Sequence, residues 1–365
     1  MEPFGADRYG NPSGSHRLAR DAVRAVDEAR ERLAQVIGCE PGDIVFTSGG
    51  TESDNHAITG GMPPRPGVPV CSAVEHHAVL DVVEALDGCT VAVDAGGRVD
   101  LSALAELLDL LGDRVSIVSV MLANNEVGAV NDLDAVAAVI AAHEPEVPRV
   151  PLHTDAVQAA AWLDLRPAAA AAQLVSLSAH KLGGPKGIGA LVVRRPTTIR
   201  PLILGGGQER DRRSGTLNVA GIVGFTTAME LVDAERDVTN RRVAALRDEL
   251  VAGLRAAVPG LVATLGTDHS RDAAVLPGTC HVCIEDADSE SLLFLLETDG
   301  VLASAGSSCA SGAQEASHVL TAMGVSAEVA RGALRLSLGW DSTRADVALA
   351  LAVVPAAVDR VRAFS

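Results

Sequence analysis

The sequence predicts an α/β protein built on a mainly parallel sheet, with a smaller second domain, and three observations carry that prediction. Short β-branched runs alternate with helix-length stretches through the first 235 residues, the pattern of βαβ units whose crossover helices cover both faces of a sheet. The chain has 365 residues, more than the roughly 250–300 at which a single core stops growing. Near residue 235 the alternation gives way to a long, charged amphipathic stretch, where a second core begins. The expected division is a large domain over 1–235 and a small C-terminal α+β domain over 236–365.

Taken in order, Leu18, Ala22, Val23, Val26, Ala29, Leu33 and Val36 recur at helical spacing after Ser13-Gly14-Ser15, and Gly38 is placed to end that helix. Strands are expected at Ile44–Phe46, Val68–Ser72, Val115–Val120, Val150–His153, Leu174–Ser178 and Gly189–Val193. The Pro-rich stretch Met62–Pro69 reads as a surface loop. Beyond the boundary, Val238–Leu254 reads as a helix, and Thr279–Ile284 and Ala333–Ser337 as strands. In parallel sheets of this kind the site lies at the carboxyl ends of the strands.

Composition narrows the function. Lys plus Arg number 30 against 47 Asp plus Glu, a formal charge of −17, and a protein that grips a nucleic-acid backbone must neutralise phosphates with cations. Aromatics are limited to 2 Trp, 1 Tyr and 5 Phe, which leaves few platforms for stacked bases. The 6 cysteines are scattered too widely for a disulfide scaffold and read as reduced thiols. The N-terminus has no basic, apolar export pattern and no run of 18 or more apolar residues occurs, so the expected setting is the cytoplasm.

The chemistry concentrates at strand ends. In Ser176-Leu-Ser-Ala-His-Lys181-Leu-Gly-Gly-Pro, an apolar strand runs into Ser178, His180 and Lys181 and then a Gly/Pro turn. A charged lysine at a buried strand end is costly unless partnered, and a Schiff base with an aldehyde cofactor resolves that cost; the alternative is a surface lysine beside a turn. His153-Thr-Asp155-Ala-Val-Gln158 is expected to put an acid just past a strand, where it could hold a pyridine nitrogen protonated or simply cap a helix. Thr47-Ser-Gly-Gly50-Thr51-Glu follows a strand and opens a helix whose free N–H groups suit a phosphate, although it lacks the P-loop lysine and the dinucleotide glycine pattern.

Together with Thr51-Glu-Ser-Asp-Asn, Glu75-His-His-Ala-Val, Asn124-Asn-Glu-Val-Gly, Gly205-Gly-Gly-Gln-Glu-Arg-Asp-Arg-Arg-Ser-Gly-Thr216 and Gly306-Ser-Ser-Cys309, these segments resemble a cysteine desulfurase of the NifS/IscS type, group I. That family belongs to the class V aminotransferase-like, fold-type I enzymes that use pyridoxal 5′-phosphate (PLP). The motifs occur in order from Asn11 to about Leu338, nearly the whole chain. The resemblance implies that Lys181 binds the cofactor covalently, that Asp155 pairs with the pyridinium and that Gln158 bonds the ring hydroxyl oxygen. It implies that His76 stacks on the ring and moves protons. The phosphate would be held by Gly50, Thr51, Ser178 and His180 with Thr216 of a second subunit, hence a homodimer. Asn125 and Arg335 match positions that bind the substrate carboxylate, a bidentate task suited to arginine.

Cys309 lies in a small-residue stretch without apolar periodicity, the setting of an exposed thiol. Under the resemblance Cys309 carries sulfur as a persulfide, L-cysteine becomes L-alanine, and a sulfur-acceptor protein, an Fe–S scaffold or a tRNA thiolase, is the partner. Cys39 and Cys71 adjoin apolar runs and read as inert. Cys280 and Cys283 should point to opposite faces of one strand, against a metal or redox pair, and no metal site is expected. Two rival readings are a selenocysteine lyase or other class V enzyme, and a non-catalytic partner-binding relative.

The chain departs from the family twice. Relatives usually begin with a Leu-Asp-x-Ala-Ala-Thr-Thr-Pro segment that lines the substrate pocket, and this sequence starts after it, so the expectation is either an upstream start or a pocket lacking that part. Asp211 stands where many relatives have Gly, in a loop where it is expected to alter only local charge.

Overall fold

The computed structural model describes residues 1–62, 67–143, 150–265, 274–306 and 317–363. They form two compact units: the first takes Met1–Ala92, Val99–Leu122 and Asn131–Arg236, the second Val93–Arg98, Ala123–Val130 and Asp237–Ser365. Two short excursions from the first half of the chain thus belong to the second unit, which a single boundary along the sequence does not express.

In the first unit, strands β1 (Ile44–Thr47), β2 (Val68–Ser72), β3 (Cys89–Val91), β4 (Val115–Ser119), β5 (Leu152–Asp155), β6 (Leu174–Ser178) and β7 (Gly189–Val193) form one sheet in the order β1-β7-β6-β5-β4-β2-β3. Pairing is parallel from β3 through β2, β4 and β5 to β6, and β7 is antiparallel to both β6 and β1. The carboxyl ends of β1, β2, β5 and β6 therefore share one edge. The strand expected at Val150–His153 begins and ends two residues later, so that Asp155 is its last residue rather than a residue beyond it.

The helix Gly50–Gly61 lies on this sheet. Its Ala57 and Ile58 join Val45, Ile117, Leu174 and Leu191 in a fully buried cluster, each large side chain contributing about 1.5–3 kcal/mol of transfer free energy. Close approach is what Gly189 permits: a Cβ there would lie 2.5 Å from the Leu177 carbonyl oxygen and 2.8 Å from Gly49. The helix Arg17–Ile37 starts at His16, whose Nδ1 accepts the Ala19 N–H, and stops at Gly38 in the left-handed region at φ 77°. Its Val23, expected on the core side, is exposed.

The helix expected at Val238–Leu254 is one 39-residue helix, Val219–Ala257. The second unit carries the antiparallel strands β8 (Leu261–Ala263), β9 (Thr279–Ile284) and β10 (Ala333–Ser337) in the order β10-β9-β8, with Arg335 opposite His281. Among the described residues no helix is long and apolar enough to cross a membrane.

Candidate active site

The first unit gathers most of the expected residues on the carboxyl edge of its sheet. Asp155 ends β5, buried, with its Oδ1 accepting the Val157 N–H at 2.8 Å. Burial pushes its pKa up to about 6, against the pull of that N–H and of Lys181. Glu75, at the end of the turn after β2, is fully buried and accepts the Met121 N–H at 2.6 Å; burial and the Asp155 charge raise its pKa well above the carboxylate range. Carboxylates buried together are a place where a cation is favoured.

On the neighbouring strand, β6 ends at Ser178, and a 3-10 turn, Ala179–Leu182, presents His180 and Lys181. Ser178 Oγ and His180 Nδ1 are 2.8 Å apart. Burial, then Lys181 and Lys186, lower the His180 pKa, so the ring is neutral near pH 7. Lys181 is exposed. The expectation of a lysine carrying a burial cost is therefore corrected: the buried residues are those of β6, and the turn lifts Lys181 out of the core into solvent at the sheet edge.

After β1, Gly49 and Gly50 open the Gly50–Gly61 helix, and among the described residues no side chain caps its first N–H groups. A Cβ at Gly50 would sit 2.8 Å from Val157 Cγ2 and 3.6 Å from the Ser178 Cβ, so the helix start packs closely beside Ser178 and Val157. Thr51, next in the chain, is exposed, and Gln158 is half-buried in the turn following Asp155. His76 caps the helix His77–Ala85, its Nδ1 accepting the Ala78 N–H at 3.0 Å. In the neutral ring the proton therefore sits on Nε2.

A buried acid, a lysine on the adjacent strand end, and an uncapped helix start beside a serine hydroxyl fit the three ends of PLP: pyridine nitrogen, aldehyde and phosphate. Thr216 is exposed on the loop between β7 and the long helix.

In the second unit, Arg335 Nη1 donates to the Asn125 carbonyl at 2.9 Å, which joins the two expected carboxylate-binding positions. Arg335 Nε is buried without a hydrogen-bond partner among the described residues. Burial lowers the Arg335 pKa while Glu126 opposes it. Ser304 bridges the Arg335 backbone, so the segment leading toward residue 309 starts alongside that arginine. Cys309 itself lies outside the described residues.

Cys280 and Cys283 are both buried on β9, three positions apart and so on opposite faces. Cys71 is fully buried, and Cys39 is half-buried with its thiol pushed up by burial to about 12.

A model of the class-V aminotransferase family matches residues 1–349. The chain is 42% identical to an IscS-like cysteine desulfurase of Mycobacterium tuberculosis, over 97% of this chain and 90% of that protein. Among solved structures it is similar to a NifS-like protein, with a TM-score of 0.88, 33% identity, and 99% and 94% of the two chains covered. It is also similar to SspA in complex with cysteine, with a TM-score of 0.76, 31% identity, and 93% of each chain covered.

Proposed function

The chain belongs to the class-V aminotransferase family and is a PLP-dependent cysteine desulfurase; we propose that it moves sulfur from L-cysteine to Cys309 and releases L-alanine. The observation that supports these residue roles best is the pair of neighbouring strand ends, Asp155 buried on β5 and Lys181 in the turn after β6.

Bound at this edge, PLP supplies an electron sink for the substrate Cα. Lys181 would offer the amine that holds it and would serve as the base for the substrate Cα proton. Asp155 keeps a proton on the pyridine nitrogen. Ser178, His180, Thr51 and the N–H groups at Gly50 hold the phosphate, and Gln158 bonds the ring hydroxyl oxygen. His76, whose Nδ1 is taken by the Ala78 N–H, would face the ring and offer Nε2–H as its proton donor. Arg335 and Asn125 bind the substrate carboxylate.

The Cys309 thiolate attacks the substrate Sγ: the Cβ–Sγ bond breaks and an S–S bond forms. The electron pair of the broken bond stays on Cβ, which is then protonated to the methyl group of alanine, while the two sulfurs share the oxidation. The product on the enzyme is a persulfide. A sulfur acceptor outside the protein, an Fe–S scaffold or a tRNA-thiolating enzyme, receives it. The functional form is a homodimer in which Thr216 completes a neighbour's phosphate site, working in the cytoplasm, where a persulfide on a free cysteine persists.

The test is alanine release and mass mapping on Cys309→Ser and Lys181→Ala. Cys309→Ser should keep the yellow cofactor and lose desulfuration to background, and Lys181→Ala should lose the cofactor absorbance. A persulfide mapped to another cysteine, with Cys309→Ser still active, would overturn the assignment.

A further inference from the structure

Directly beneath the residues assigned to the cofactor lies a second buried tier that the reaction does not use. On β5, His153 precedes Asp155 by two residues and shares its face; on β6, Ser176 stands in the same relation to Ser178; on the helix Gly50–Gly61, Asp54 lies one turn beyond Gly50. The upper tier thus holds the pyridine end (Asp155) and the phosphate end (Ser178, Gly50).

The lower tier is linked. His153 Nδ1 is 2.8 Å from Ser119 Oγ on β4 and its Nε2 is 3.0 Å from Ser176 Oγ on β6. The same Nε2 lies 3.6 Å from Asp54 Oδ1. All four residues have 1% exposure or less. The contact with Asp54 is not an ion pair: burial drives the His153 pKa down to about 3, and burial with the Asp155 charge raises that of Asp54 well above the carboxylate range. A neutral imidazole donates from one nitrogen and accepts at the other, so His153 joins three adjacent strands and reaches the helix that begins at the phosphate end.

We propose that His153 and Asp54 are positioning residues that fix the spacing between the phosphate and pyridine subsites. Building on the PLP reading above, the idea concerns a ligand whose two ends are captured separately. Correct spacing then acts as a high effective concentration for the second end once the first is bound. Loosening the lower tier should penalise the linked ligand far more than either half.

The experiment strips full-length holoenzyme of its cofactor and titrates it back with PLP, with pyridoxal, and with inorganic phosphate. His153→Phe and Asp54→Leu should weaken PLP about tenfold or more while pyridoxal and phosphate each change less than about threefold. Asp54→Asn, which keeps polar atoms in place, should bind PLP within about twofold of wild type. Should His153→Phe not fold, Ser176→Ala carries the same comparison, with a loss of about fivefold for PLP alone. Unchanged PLP affinity in the variants, or losses for pyridoxal or phosphate as large as for PLP, would overturn the proposal. A wild type that takes up no PLP would instead overturn the cofactor reading.

Discussion

Arg213 and Glu52 meet end to end, Nε to Oε1 at 2.7 Å and Nη2 to Oε2 at 3.0 Å, tying the loop that carries Thr216 to the first turn of the helix that begins at Gly50. Glu52 also accepts the Ser48 N–H at 2.9 Å. Burial opposes its charge, but the bonds from Arg213 and Ser48 outweigh burial and hold its pKa below the usual value. A depressed folded pKa contributes stability above the unfolded value and loses it as pH falls through the folded one. Glu52→Gln should therefore cost about 1–3 kcal/mol, steady from pH 7 to about 5 and shrinking below about 4. Urea unfolding of both proteins across that range checks it.

Cofactor uptake should depend on pH through Asp155. Its pKa in the cofactor-free protein stands near 6, raised by burial, so below that value a proton competes with the pyridinium for the carboxylate. Affinity for PLP should fall as pH drops through 6, approaching about tenfold per unit once Asp155 is protonated. Other groups, including the cofactor's phosphate, titrate nearby, and Asp155→Asn separates them. The variant should bind more weakly at pH 8 and show a flatter profile between pH 7 and 5, read by absorbance titration. An identical slope in wild type and variant would remove Asp155 from this role.

The candidate site is legible where chemistry follows directly from position along the chain. Acid, lysine and paired glycines at strand ends stand out because apolar β-branched runs frame them, and their motifs occur in family order. The lower tier was not legible: His153, Ser176 and Ser119 read as polar interruptions in separate strands; the parallel register sets Ser119 beside His153, and the His153 side chain reaches Ser176, which stands opposite Asp155. Strands β3 and β8, three residues each, are too short to show periodicity. The start of the long helix does not show in the pattern because Gly221, Gly224, Thr226 and Thr227 dilute the periodicity that Val238–Leu254 shows clearly. Arg30, a charged residue within an amphipathic helix, is buried against Glu209, a partner 179 positions away.

The thiols of the second unit should prove inert in turnover. Burial raises the pKa of Cys280 to about 12 and also raises that of Cys283, where a contact with Thr264 partly opposes it. Cys280→Ser and Cys283→Ser should retain nearly full alanine release. Cys280→Ser, which puts a hydroxyl in an apolar site, should cost about 1–3 kcal/mol of stability. Alkylation at pH 7.5 should leave both thiols unmodified in the native protein. A tenfold loss of turnover in either variant, at a temperature where it stays folded, would contradict this.

Glu209, Arg210 and Asp211 occupy the left-handed region in succession, at φ 51°, 59° and 61°. Asp211 thus does more than alter charge: it places a side chain at a backbone conformation that costs an L-residue about 1–2 kcal/mol, somewhat less for Asp, and glycine nothing comparable. The bend is held by its neighbour. Glu209 is buried, pairs with Arg30 at 2.5 and 3.0 Å, and accepts the Phe46 N–H of β1 at 2.9 Å. Arg30 in turn lies 4.6 Å over the Phe46 ring. The two positions should therefore respond oppositely to the same substitution. Asp211→Gly should gain about 0.5–1 kcal/mol, because the side chain is exposed and only strain is relieved. Glu209→Gly should lose about 3–5 kcal/mol, because relief of the same strain is outweighed by a buried guanidinium left without its carboxylate. Denaturant unfolding of the two variants side by side decides it: a loss at Asp211 would mean that its carboxylate holds the loop, and a gain at Glu209 would mean that strain, not pairing, dominates this turn.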